Sequence, residues 1–279
     1  MFSKISFIAI AAVLFSTTLS ADIVVKSNDK IAFLGDSITQ HGNYYEGGYV
    51  NLVIAGLHAN GIKAIKVPAG ISGNKAPQML ARLEKDVISK KPQFMTLSCG
   101  VNDVWHGAKG VPLDQYRKLI TELVEKASAA GIKVCIMTAT MILEKPENGY
   151  NTKLAPYNDF LRKLAKEKGL MLADVSKVMH DGIAGFKKLN PGFKGNYYTY
   201  DGVHMNSIGN EMMAETVLRT FGLNDQQIAK AKKSWQGKLS PIGSIYLPAD
   251  VIRRIAPQAA AEKMTIQEYI TRVLKDTAK

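Results

Sequence analysis

Cysteine is nearly absent: Cys99 and Cys135 are the only two in 279 residues, too few for a disulfide framework. Both lie inside apolar runs, FMTLSCG and IKVCIMTAT, where adjacent parallel strands seldom meet disulfide geometry, so two buried free thiols are expected. Beyond the first two dozen residues no stretch is long and apolar enough to span a bilayer. Acidic residues are also scarce, 24 against 36 Lys and Arg, for a formal net charge of +12. On an exported chain that excess suits an acidic polysaccharide or anionic envelope surface better than nucleic acid. Net charge, however, governs encounter and not chemistry.

The first 22 residues read MFSKISFIAIAAVLFSTTLSAD. A basic start at Lys4, a short apolar core from Ile5 to Phe15 and small residues before Ser20-Ala21 form the pattern of a secretory signal peptide. No cysteine stands near the cleavage region, so no lipoprotein anchor is indicated. Residues 1–21 are therefore expected to direct export to the periplasm or beyond. Residues 22–239 would form the main domain and 240–279 a small appendage.

Along the chain, apolar runs that break at glycine alternate with amphipathic stretches. Strands are expected at Ile31–Leu34, Ile62–Pro68, Gln93–Ser98, Lys133–Thr138 and Leu170–Val175. Helices are expected over VNLVIAGLHANG, APQMLARLEKDVI, Leu113–Ala130, Thr152–Lys168 and Asn206–Phe221, with Lys187–Tyr200 as a loop. Such alternation argues for an α/β fold with a five-stranded parallel sheet covered on both faces. The flavodoxin-like strand order 2-1-3-4-5 is the natural arrangement, because right-handed crossovers leave few others. In that order the turns after strands one, two and three become neighbours, and they carry Ser37, Gly73 and Asn102.

This convergence has chemical content. A serine just past a strand either caps a helix or acts as a nucleophile, and as a nucleophile it needs a base. His204 is the best placed of five histidines, with Asp201 three residues earlier able to hold its far ring nitrogen. Taken singly, His204 is equally a helix-start residue and Asp201 a turn aspartate. The N–H groups of Ser37 and Gly73 and the Asn102 amide could stabilise a developing oxyanion. Gly73 equally suits a left-handed turn, and Asn102 a helix cap.

As a set, Gly35-Asp36-Ser37, Gly70-Ile71-Ser72-Gly73-Asn74, Gly100-Val101-Asn102-Asp103 and Asp201-Gly202-Val203-His204 resemble the four marks of the SGNH/GDSL hydrolases over about residues 29–222. That resemblance implies a three-layer α/β/α serine esterase working through an acyl-enzyme, with no metal or organic cofactor. It makes Ser37 the nucleophile, His204 the general base and acid, and Asp201 its orienter. Ser37, Gly73 and Asn102 become the oxyanion hole, while Asp36 and Asp103 stay structural. Gly73 is chosen over Gly70 because the family's glycine usually follows the Ile-Ser pair. Export, basic charge and the aromatics Trp105, Tyr197, Tyr198 and Tyr200 favour a carbohydrate O-acetyl ester as substrate, although those rings could equally be packing. The alternatives are a lipid or aryl esterase or thioesterase of the same family, and a non-catalytic glycan-binding protein.

The tail reads differently. Leu223–Lys238 is expected as a capped, lysine-rich helix leaving the domain, the alternative being a surface helix that packs Trp235 on the body. Beyond it a strand, Ser244–Leu247, and two helices opened by Pro248 weakly resemble the ribbon-helix-helix fold. Val251, Ile252, Ile255 and Ala259 mark one buried stripe; Ile266, Tyr269, Ile270, Val273 and Leu274 mark a second. The tail thus either forms a homodimer or docks on its own catalytic domain. Export makes DNA an unfitting ligand.

Overall fold

The computed structural model describes residues 23–242 and 245–277, so the signal-like segment 1–21 and Ser244 lie outside the described residues. In chain order the elements are β1 (Lys30–Gly35), α1 (Ser37–Tyr44), α2 (Tyr49–Ala59), β2 (Ile65–Gly70), α3 (Ala76–Asp86), β3 (Phe94–Ser98), α4 (Val101–Trp105) and α5 (Leu113–Ala129). Next come β4 (Lys133–Met137), α6 (Gly149–Glu167), β5 (Met171–Ala173), α7 (Val175–Leu189), α8 (Ser207–Thr220) and α9 (Asp225–Trp235). The tail adds β6 (Ser240–Ile242), β7 (Ile245–Leu247), α10 (Ala249–Ala261) and α11 (Ile266–Thr277).

The sheet has the expected order, β2-β1-β3-β4-β5, and every pairing in it is parallel. Strands buried on both faces need apolar residues at consecutive positions, and Ile31, Ala32, Phe33 and Leu34 of β1 are all fully buried. Helices α3, α5 and α6 pack side by side, as do α2, α8 and α9, which gives the two helical layers. Cys99 and Cys135 are buried free thiols. Among the described residues no helix is long and apolar enough to cross a membrane.

Three elements depart from expectation. β2 begins at Ile65 and not at Ile62, because the Ile62 N–H donates to the Leu57 carbonyl and closes α2. Its register on β1 then pairs Gly35 with Gly70, so both strands end together. Pro68 is tolerated because β2 is an edge strand. Ser37 does not sit in a bare turn but opens helix α1, and α7 occupies residues 175–189, reaching into the expected loop.

The tail folds back on the body. β6 and β7 form an antiparallel hairpin within the chain, and the Gly47 N–H donates to the Leu239 carbonyl at 2.8 Å. The Ser207 hydroxyl donates to the Leu247 carbonyl, and Arg253 pairs with Glu211 on α8. Ile252 is wholly buried, and Trp235 is buried with its indole N–H on the Leu52 carbonyl. Of the second stripe only Ile266 is buried, whereas Leu274 is 60% exposed.

Candidate active site

The carboxyl ends of β1, β2 and β3 bring Ser37, the Gly70–Asn74 turn and Asn102 to one rim. A loop before α8 brings Asp201 and His204 to the same place. Asp36 directly follows β1 and accepts the Ile38 N–H on Oδ1 at 2.9 Å, the usual role of an aspartate helix cap. Ser37 is then the first helical residue, and its N–H belongs to the N-terminal set that lacks an intrahelical acceptor.

Asp201 organises its own loop. Its Oδ1 accepts the N–H groups of Val203 and His204 at 2.9 and 2.7 Å, and its Oδ2 lies 2.6 Å from His204 Nδ1. Burial works against the Asp201 charge, but the hydrogen bonds from His204 and Val203 outweigh it and hold the carboxyl below its usual range. An ionised carboxylate only accepts, so Nδ1 carries the proton and Nε2 presents a lone pair. That nitrogen is 2.9 Å from Ser37 Oγ, across 167 residues of sequence. The hydroxyl is therefore placed to donate to a base already in the useful tautomer.

Of the expected anion-stabilising groups, Asn102 is tied to the neighbours of the other two, Asp36 and Asn74. Asn102 Nδ2 lies 3.3 Å from Asp36 Oδ2 and 3.2 Å from the Asn74 carbonyl, so one side chain spans the turns after β1, β2 and β3. Ser72 is fastened to Gln40 Oε1 through its N–H at 2.8 Å. Between Ser72 and Asn74, Gly73 has φ +77° with open space where a Cβ would project. At Gly70 a Cβ would meet the Gln40 nitrogen at 2.4 Å, so that glycine closes the strand and Gly73 faces the opening. Asp103 accepts the Ala76 N–H at 3.0 Å, which ties the β3 turn to the start of α3.

Other groups at the site are the motif member Asp36 and two residues outside the motifs, Glu144 and His41. Asp36 is wholly buried, and burial pushes its carboxyl up to about 6. Glu144 is buried with φ +44° and accepts four hydrogen bonds from the loop ahead of Asp201. These come from the N–H groups of Tyr197, Tyr198 and Thr199 and the Thr199 hydroxyl, at 2.7, 2.8, 2.5 and 2.7 Å. The His41 ring lies 4.7 Å from the His204 ring, and its Nδ1 is 3.2 Å from the Tyr200 hydroxyl. Burial first, and then the neighbouring His204, hold His41 below its usual pKa. Only its position one turn beyond Ser37 on the same helix marks it in the sequence.

The singled-out aromatics divide. Tyr200 stacks on the His204 imidazole at 5.8 Å, whereas Tyr197 stacks on Phe186 at 3.8 Å and Tyr198 is buried. Trp105 stacks on Tyr150 at 5.0 Å. A cavity of about 620 Å³ around Met212 and Arg253 touches none of Ser37, Asp201 and His204.

Comparison with known proteins bears on the family. Residues 33–212 match the model of the GDSL-like Lipase/Acylhydrolase family. An acetylxylan esterase of Geobacillus stearothermophilus is 28% identical over 219 residues, 71% of this chain and 96% of that protein. The crystal structure of the acetyl xylan esterase AlAXEase superposes with a TM-score of 0.61 at 35% identity, over 68% of this chain and 98% of that one. LAE5, an α/β hydrolase from the metagenome of Lake Arreo, Spain, does so with a TM-score of 0.63 at 25% identity, covering 72% and 98%. With the family match spanning well over half of its length, this chain belongs to the GDSL-like Lipase/Acylhydrolase family and is a serine ester hydrolase.

Proposed function

We propose that the protein is an exported esterase that removes O-acetyl groups from a xylan-type carbohydrate through an acyl-enzyme on Ser37. The observation that carries this is the continuous relay from Asp201 through His204 to Ser37, at 2.6 and 2.9 Å. Similarity to acetylxylan esterases along almost their whole length supports the substrate class. Catalytic mutants of the Geobacillus enzyme replace a serine, an aspartate and a histidine, the last two three positions apart, as Asp201 and His204 are.

In this mechanism the Ser37 oxygen attacks the ester carbonyl as its proton passes to His204 Nε2, and Asp201 stabilises the resulting imidazolium. The N–H groups of Ser37 and Gly73 receive the carbonyl oxygen as it becomes negative, and the Asn102 amide joins them by giving up one of its two long bonds, to Asp36 or to the Asn74 carbonyl. Collapse of the tetrahedral intermediate returns the proton to the departing sugar hydroxyl and leaves acetyl on Ser37. Water, deprotonated by His204, then releases acetate and restores the serine. Residues 1–21 serve export, residues 22–239 hold the chemistry, and 240–279 form an appendage.

The test is acetate release from acetylated xylo-oligosaccharides, set against p-nitrophenyl esters of increasing acyl length. S37A loses about 10⁴-fold or more in kcat while keeping the wild-type circular dichroism spectrum. Glycan deacetylation with poor long-chain turnover supports the sugar ester; the reverse order points to a lipid ester or thioester.

A further inference from the structure

Tyr44, at the end of the helix opened by Ser37, is 78% exposed, and Tyr246 of β7 is 50% exposed. Large aromatic rings left in water beside a catalytic centre call for a partner with an apolar face. Both rings meet Tyr45, at 5.2 and 5.8 Å between centroids and at steep angles, so each is braced along one side and keeps surface for a ligand. Tyr45 in turn contacts His41 at 5.5 Å, and His41 contacts His204 at 4.7 Å. A line of ring contacts therefore runs from the tail hairpin to the general base.

The hairpin is built to hold this position. Strand alternation turns Ile245 and Leu247 the opposite way from Tyr246, and both are more shielded than it. The hairpin is pinned by the Gly47 N–H on the Leu239 carbonyl, by Ser207 on the Leu247 carbonyl and by Lys238 paired with Glu46 at 3.0 Å. Glu46 and Gly47 directly follow Tyr44 and Tyr45, so both sides of the platform share one anchor. The family match ends at residue 212, before Tyr246.

We propose that Tyr44, Tyr45 and Tyr246 form a sugar subsite, which binds a pyranose ring next to the one whose ester lies on Ser37. A pyranose offers an apolar C–H face and a rim of hydroxyls, and a phenol offers a ring face and a hydroxyl. The Tyr45 hydroxyl is engaged by Tyr200 and Tyr246, and an acyl chain would use the rings but leave the phenol of the exposed Tyr44 idle. This subsite rests on the sugar-ester reading above and assigns the appendage a part in substrate binding.

The test uses the full-length protein and its Y246A, Y246F and Y44A variants on acetylated xylo-oligosaccharides, on p-nitrophenyl acetate and on long-chain p-nitrophenyl esters. Loss of one stacking ring raises KM for the oligosaccharide about five- to tenfold more than KM for p-nitrophenyl acetate, and leaves oligosaccharide kcat within about twofold. Y246F, which keeps the ring, recovers most of that difference. Wild-type KM on the oligosaccharide in both alanine variants overturns the subsite and leaves the sugar-ester reading standing. A defect confined to long-chain esters also overturns it and identifies an acyl site. No acetate release from oligosaccharide by the wild-type enzyme removes the sugar-ester reading and the subsite together.

Discussion

At the scale of single residues, Asp36 links stability to chemistry. Burial raises its folded pKa from 3.8 to about 6, with the Ile38 N–H acting in the other direction. The folded state therefore binds this proton more tightly than the unfolded chain does. Its stabilising contribution is present at low pH and is lost as the pH rises from about 4 through about 6. D36N cannot titrate, and its amide oxygen can still cap Ile38. Relative to wild type, D36N is expected to gain on the order of 2–3 kcal/mol between pH 4 and pH 7 in urea melts. Identical pH dependence in the two proteins would reject the assignment. The same change puts an NH₂ opposite Asn102 Nδ2, where a carboxylate oxygen now accepts at 3.3 Å. Under the proposed mechanism, in which the Asn102 amide is an oxyanion donor, its displacement should lower kcat by about tenfold or more.

At the scale of elements, the decisive one is the loop from Tyr197 to Asn206. It closes on itself through the Tyr200 N–H on the His204 carbonyl and the Asn206 N–H on the Tyr198 carbonyl. Glu144 anchors it, and Thr199 passes the anchor on by accepting the Gly202 N–H at 3.1 Å. In E144Q one acceptor becomes a donor facing N–H groups, so at least one buried bond is lost. That predicts a destabilisation of about 1–3 kcal/mol. It also predicts a kcat lower by about tenfold, because the loop positions Asp201 and His204, the orienter and base of the proposed mechanism. A wild-type kcat in a correctly folded E144Q would remove this role. Sequence pattern could not have found Glu144, because ILEKPENG carries no periodicity and its partners are backbone groups more than fifty residues away. The motif-bearing turns were legible because β1 and β3 are apolar runs broken at or next to a glycine, Gly35 and Gly100, and the alternating β2 ends at Gly70. Helix α7 was not, since Gly182 and Gly185 break its pattern. Gly182 is there for packing: a Cβ would come within 2.0 Å of the Tyr198 hydroxyl.

At the scale of the whole molecule, the tail is the part whose pattern admitted two outcomes. A ribbon-helix-helix strand finds its partner in a second chain, whereas β7 here is hydrogen-bonded to β6 of the same chain. The amphipathic stripe of α10 was readable, but which surface it covers depends on α8, whose Glu211 pairs with Arg253 and whose Ser207 holds the Leu247 carbonyl. Helix α11 rests largely on α10, with the Tyr269 hydroxyl on Gln258 and Arg272 paired with Glu262 at 2.6 Å. Truncation after Leu239 removes the fully buried Ile252 from the body and uncovers what it packs against. A side chain of that kind contributes about 1.5–3 kcal/mol, so Tm should fall by roughly 5 °C or more. With the strand's partner supplied in the same chain, light scattering should give one subunit both before and after truncation. A dimer that separates on truncation would mean that the tail joins two copies. An unchanged Tm would mean that it contributes nothing to holding the body together.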